Sequence, residues 1–220
     1  MKKVLYFLIV TLVFFVNTSF SQTTTKIDLH AAVKGDGIKV FNRDMKLINE
    51  TAHPGISLSR DFGEGIAWIK GVDFSNGILE FDVRGENLKQ HSFVGIAFHG
   101  KDDSTFDAVY LRPFQFKMKD ETFKNRMIQF ISLPDFTWQV LREKSPGKYE
   151  HSIDPAPDPD AWVKMRIVVK NGSISTYING NKEPSLVVEK LTHNNSGMIG
   201  FYVADTSGGD FANLTITKTD

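Results

Sequence analysis

Residues Gly77 to Phe116 read GILEFDVRGENLKQHSFVGIAFHGKDDSTFDAVYLRPFQF, and this stretch decides the fold. Three runs within it, 77–85, 92–100 and 105–114, alternate apolar residues with polar or small ones, the period of a strand that buries one face. Leu79, Phe81 and Val83 take the buried parity of the first run, Val94, Ile96 and Phe98 that of the second, and Val109 and Leu111 that of the third. Read as neighbouring strands of one sheet, they gather Glu80, Asp82, Arg84, His99, Tyr110 and Arg112 on the opposite, polar face. Gly95, Ala97 and Ala108 fall among these side chains, and small residues in mid-strand leave room for a ligand. The turns between the runs, 86–91 and 101–104, are polar, as hairpin loops facing water should be.

Working outward, short apolar segments at 38–41, 46–48, 56–59 and 66–69 follow a polar leader, Gln22 to Lys26, and are punctuated by Gly, Pro, Asp or Asn. Further strands are expected at 126–133, 163–169, 173–178, 185–188, 198–203 and 211–217. Asn171-Gly172 and Asn179-Gly180 are pairs that readily supply the two positive φ angles of a tight turn. Only 135–144, DFTWQVLREK, shows helical spacing, and Pro146-Gly147 stops it. Prolines at 155, 157 and 159 make the segment from Ile153 to Trp162 an extended connection, because they donate no ladder hydrogen bond. The pattern is all-β, a sandwich or barrel with one short helix.

The ends and the charge narrow the function. Lys2 and Lys3, the apolar run Val4 to Val16 and the small residues of Ser19-Phe20-Ser21 read as a signal peptide over 1–21, leaving one domain over 22–220. Thirteen apolar residues are too few to span a hydrocarbon core that needs about 20. No second apolar span follows, so the mature chain is expected to be soluble, secreted or periplasmic. Removing the two leader lysines leaves 24 basic against 26 acidic residues, a net charge of −2, which argues against a nucleic-acid partner. The absence of cysteine excludes disulfides, thiol catalysis and cysteine-ligated zinc. No H-E-x-x-H, G-x-S-x-G or phosphate-cradling glycine loop is present.

A resemblance enters at WVKMRIVVKNGSISTYING and SGMIGFYVADTSGGDFANLTI. Trp162 opening a strand, Tyr177-x-Asn179-Gly180, Gly197-x-Ile199-Gly200 and Phe211-x-Asn213-Leu214 resemble the concanavalin A-like lectin and glucanase superfamily, laminin G-like domains included. FVGIAFHG and DAVYLRPF are similar to secreted bacterial proteins grouped loosely with family 16-type glycoside hydrolases. The resemblance implies a jelly roll of two antiparallel sheets whose concave face grips a glycan, and one such superfold serves lectins, hydrolases and adhesive modules alike.

On that expectation Arg84, His99, Tyr110 and Arg112 bind sugar hydroxyl or acidic groups and Trp138 stacks on a sugar ring. Were the chain a hydrolase, Glu80 and Asp82 would be its carboxylate pair, about 7 Å apart at Cα along one strand. The string around them departs from the E-x-D-x-x-E glucanase pattern. Glu86, the third acid, stands roughly 20 Å from Glu80 in a regular strand, against the about 5 Å of a retaining glycosidase. Binding is therefore favoured over cleavage. No cofactor is required, although Asp102, Asp103 and Asp107 could furnish oxygen ligands for Ca²⁺.

Overall fold

The structure, a computed structural model, describes residues 22–219, so the expected signal peptide lies outside the described residues. The chain runs through β1 (Gln22–Lys26), α1 (Leu29–Lys34), β2 (Ile38–Phe41), β3 (Met45–Asn49), β4 (Pro54–Leu58) and β5 (Gly65–Ile69). It continues through β6 (Gly77–Arg84), β7 (Val94–Gly100), β8 (Phe106–Leu111), α2 (Glu121–Lys124), β9 (Ile128–Leu133), α3 (Trp138–Lys144) and β10 (Glu150–His151). The last strands are β11 (Val163–Lys170), β12 (Ser173–Ile178), β13 (Leu186–Glu189), β14 (Met198–Val203) and β15 (Gly209–Thr219).

Two antiparallel sheets result. One has eight strands, β13-β12-β11-β6-β15-β4-β3, with β1 paired to β15, and the other has seven, β10-β9-β8-β7-β14-β5-β2. The alternating side chains interdigitate between them: Phe81 of the larger sheet meets Phe201 of the smaller at 5.9 Å, and Phe201 stacks on Phe211 at 4.7 Å. Burial of this face is what drives the sheets together.

The topology corrects the shared polar face. β6 lies between β11 and β15 in the eight-stranded sheet, whereas β7 and β8 pair within the other. The chain crosses the sandwich between Gly85 and Phe93, so Glu80, Asp82 and Arg84 stand on one outer surface and Tyr110 and Arg112 on the opposite one. Gly85 permits the crossing, since a Cβ there would come within 2.5 Å of Ser92 Oγ.

Two further differences are local. The leader Gln22 to Lys26 forms β1, an exposed threonine-rich strand along the second half of β15, whose first half is occupied by β4. Helices α1 and α2 join the expected α3; Asp28, Asp120 and Thr137 cap the three by accepting backbone N–H bonds, a local signal that needs no helical repeat.

Candidate functional site

One rung of the seven-stranded sheet carries Glu150, Gln129, Tyr110, Gly95 and Tyr202 side by side on the outer face. The two tyrosines flank the glycine, and their rings lean together to 5.8 Å between centroids. A side chain at position 95 would meet Tyr110 Cα at 2.6 Å, so the glycine is what lets the pair close. Above this rung opens a cleft of about 600 Å³, walled by the 87–93 crossover, the 113–126 excursion and α3.

The far wall is held by Arg43. Its guanidinium donates to the carbonyls of Asn42, Gly63 and Ser207, fixing the turn that precedes β5 and presents Glu64. Tyr202 donates its hydroxyl hydrogen to Glu64 Oε2. Burial pushes the Glu64 carboxyl above the ordinary range of a glutamate, partly opposed by the Tyr202 hydrogen bond and the nearby Arg43 charge. A carboxyl with a raised pKa at an open cleft is suited to moving protons.

The near end is cationic. Arg142 clasps Glu150 with Nε at 2.9 Å and Nη2 at 2.5 Å, while Arg126 and Arg112 approach it at 3.4 and 3.7 Å. Three guanidiniums thus share one carboxylate. Arg112, only 3% exposed, donates to Tyr110 Oη at 3.0 Å, Gln129 Oε1 at 2.9 Å and the Arg126 carbonyl at 2.9 Å. Phe62, Phe123 and Trp138 stand partly exposed around the mouth, and Arg142 covers one face of Trp138 at 4.8 Å.

Of the side chains singled out from sequence, Tyr110, Arg112 and Trp138 come together here. Arg84 is engaged on the other sheet, paired with Asp210 and Glu50 and resting on Trp162. Asp82 accepts from Asn213 at 2.6 Å, and Glu80 lies 4.0 Å from Arg166 beside a depression of about 420 Å³. His99 leaves the outer face altogether. Its φ of 53° at the β7–β14 register shift breaks the alternation and brings the imidazole against Asp107, at 2.9 Å, on the core parity of Val109. Asp107 also accepts from Ser132 at 2.5 Å. Asp102 is bound to Ser104, and Asp103 to Lys39 and Trp68, so these acids point to separate partners. Among the described residues no group of three His, Cys, Asp or Glu converges on a metal position.

Sequence reading missed Glu64, Tyr202, Gln129, Glu150 and Arg142. Glu64 sits in the non-periodic turn Asp61-Phe-Gly-Glu, and Tyr202 alternates like any strand aromatic, so only the strand pairing unites them.

A two-sheet antiparallel sandwich with a polar, aromatic-rimmed cleft on one outer face is a lectin-like jelly roll. The chain belongs to the 3-keto-alpha-glucoside-1,2-lyase-like domain family, whose model matches residues 32–217; the family 16-type likeness is not confirmed. Its fold is similar to a carbohydrate-binding module, CBM66, from Bacillus subtilis, at 12% identity and a TM-score of 0.60 over 82% of this chain and 95% of that one. A Bacillus subtilis protein of unknown function with a galectin-like fold matches at 14% identity and a TM-score of 0.58, covering 91% and 99%. A native glycosidic hydrolase matches at 12% and 0.53, covering 93% and 97%. No curated protein sequence matches the chain.

Proposed function

We propose that the cleft on the seven-stranded sheet binds a glucoside oxidised to a ketone at C3, and that Glu64 acts there as the base of a 1,2-elimination. The observation that carries this reading is Glu64 itself, a desolvated carboxyl hydrogen-bonded by Tyr202 at the wall of an aromatic cleft. Membership of the lyase-like family supports the choice of reaction.

The chemistry follows from the ketone. A C3 carbonyl acidifies the C2 hydrogen, because the electron pair left behind is delocalised as an enolate. Glu64 takes that proton, the pair moves in to form C1=C2, and the C1–O bond breaks. The departing oxygen takes a proton from water at the open mouth, giving a free alcohol and an unsaturated keto sugar. Trp138 and Phe123 supply apolar faces for the sugar or its substituent.

The test is turnover of a 3-keto-α-glucoside, followed by the ultraviolet absorbance of the conjugated product. Wild type is expected to release the alcohol. Glu64→Gln is expected to bind the glucoside by calorimetry without converting it. Binding by the wild type with no conversion would make the chain a carbohydrate-binding module instead. The same reading includes export: the mature chain is expected to begin at Gln22 on N-terminal sequencing, which keeps β1 whole, and a start beyond Lys26 would sink that part of it.

A further inference from the structure

We propose that Tyr110 is the electrophilic donor of this elimination, hydrogen-bonding the sugar's C3 oxygen as it becomes an enolate, with Arg112 as a positioning residue that acts through it. The inference rests on the lyase reading above and adds to it the group that receives the developing charge.

The two tyrosines of the rung are in complementary states. Tyr202 has committed its hydroxyl hydrogen to Glu64. Tyr110 instead accepts, from Arg112 Nη2 at 3.0 Å, and among the described residues its own hydrogen has no protein acceptor. A phenol carries one O–H donor, so that donor is left for whatever occupies the cleft that Tyr110 lines. Accepting a bond from a guanidinium polarises the O–H and makes it the stronger donor.

Arg112 cannot do this job directly. Its Nη2 already donates to Tyr110 and Gln129, and its Nη1 donates to the Arg126 carbonyl and faces Glu150 at 3.7 Å. Its charge nevertheless lies against the Tyr110 ring, 5.1 Å from the centroid, with Arg126 and Arg142 beside it and, among the described residues, Glu150 as the one acid paired with all three. The surplus positive potential stands at the end of the rung away from Glu64. An elimination needs that polarity: a base at C2 and a donor at the oxygen of the adjacent carbon, where negative charge accumulates. A preorganised donor aimed at that charge needs no reorganisation when it forms.

Burial holds the Tyr110 hydroxyl above the ordinary range of a tyrosine, against the pull of Arg112, so it stays a neutral donor through the neutral range. The ring is fixed by Phe93 packing edge-on at 6.1 Å.

The test separates this step from glycoside cleavage by using 1,5-anhydro-3-keto-glucitol, which has the ketone and the C2 hydrogen but no glycosidic oxygen at C1 to expel. Exchange of that hydrogen with D₂O, followed by NMR, reads enolate formation alone. Wild type is expected to exchange it. Tyr110→Phe is expected to slow exchange roughly 10²–10³-fold while keeping its melting temperature, the loss typical of one removed oxyanion donor. Arg112→Lys should slow the wild type about tenfold yet add nothing in the Tyr110→Phe background, a coupling that a merely structural arginine would not show. Exchange by Tyr110→Phe at the wild-type rate overturns the role of Tyr110 and leaves the lyase reading standing. Additive losses in the double variant overturn the role of Arg112. A wild type that neither exchanges the ketone nor converts the glucoside overturns the lyase reading and this step with it.

Discussion

Glu64 is the residue at which stability and the proposed function pull apart. Burial favours its neutral form in the fold, so its contribution to stability is present at low pH and is lost as pH rises through the raised folded pKa. At neutral pH the ionised carboxylate is therefore a cost. Glu64→Gln keeps an oxygen to accept from Tyr202 and removes the charge; it is expected to stabilise the domain by about 1 kcal/mol at pH 7. The gain should vanish below the ordinary glutamate range, which thermal melts across pH will show. Wild-type kcat/KM, by contrast, should rise with pH as Glu64 loses its proton, with a midpoint above that of an unperturbed glutamate. At this scale Tyr110 and Arg112 were legible because strand parity alone sets their face. His99 was not, because a single left-handed φ of 53° reverses the parity and no residue type in HGKDD announces it.

Among the elements, alternation identified the strands and left their sheet open. The runs at β6 and β7 look the same whether the loop between them is a hairpin or a crossing of the sandwich, since in both cases one face of each is buried. What distinguishes β7 and β8 is burial on both faces: on the outer side Phe106 and Tyr110 pack against Tyr202 of β14, beneath the cleft that α3 and the 113–126 excursion wall. Those coverings come from distant sequence and cannot be read within the strands. Gly95 is the point where the elements depend on one another. A methyl group there would press on the Val109 carbonyl and on Tyr110. Gly95→Ala is expected to destabilise the domain by about 1–3 kcal/mol and to spread the tyrosine pair. Urea unfolding measures the first effect. A weakened affinity for the ketone that exceeds the loss of fold, measured under native conditions, registers the second; unchanged stability and affinity would refute both.

For the whole molecule, the sandwich separates two charged surfaces that a one-dimensional reading merged. The eight-stranded sheet spends its outer acids locally: Arg84 on Asp210 and Glu50, Asp82 on Asn213, Glu80 near Arg166. Exposed pairs of this kind contribute little to stability, about 0–1 kcal/mol each. The seven-stranded sheet concentrates its charges in a cleft, with the carboxyl at one end of the rung and three guanidiniums at the other. Because the hydrophobic core stands between the two surfaces, a neutralised charge on one acts on the other only through screened, long-range terms. Glu80→Gln is therefore expected to leave the melting temperature unchanged and kcat/KM on the 3-keto-α-glucoside within twofold of wild type, whereas Glu64→Gln is expected to abolish turnover. The comparison discriminates between the sheets as well as between the residues. A Glu80→Gln variant that folds yet loses turnover would move the proposed active site to the eight-stranded sheet and the carboxylate pair of β6.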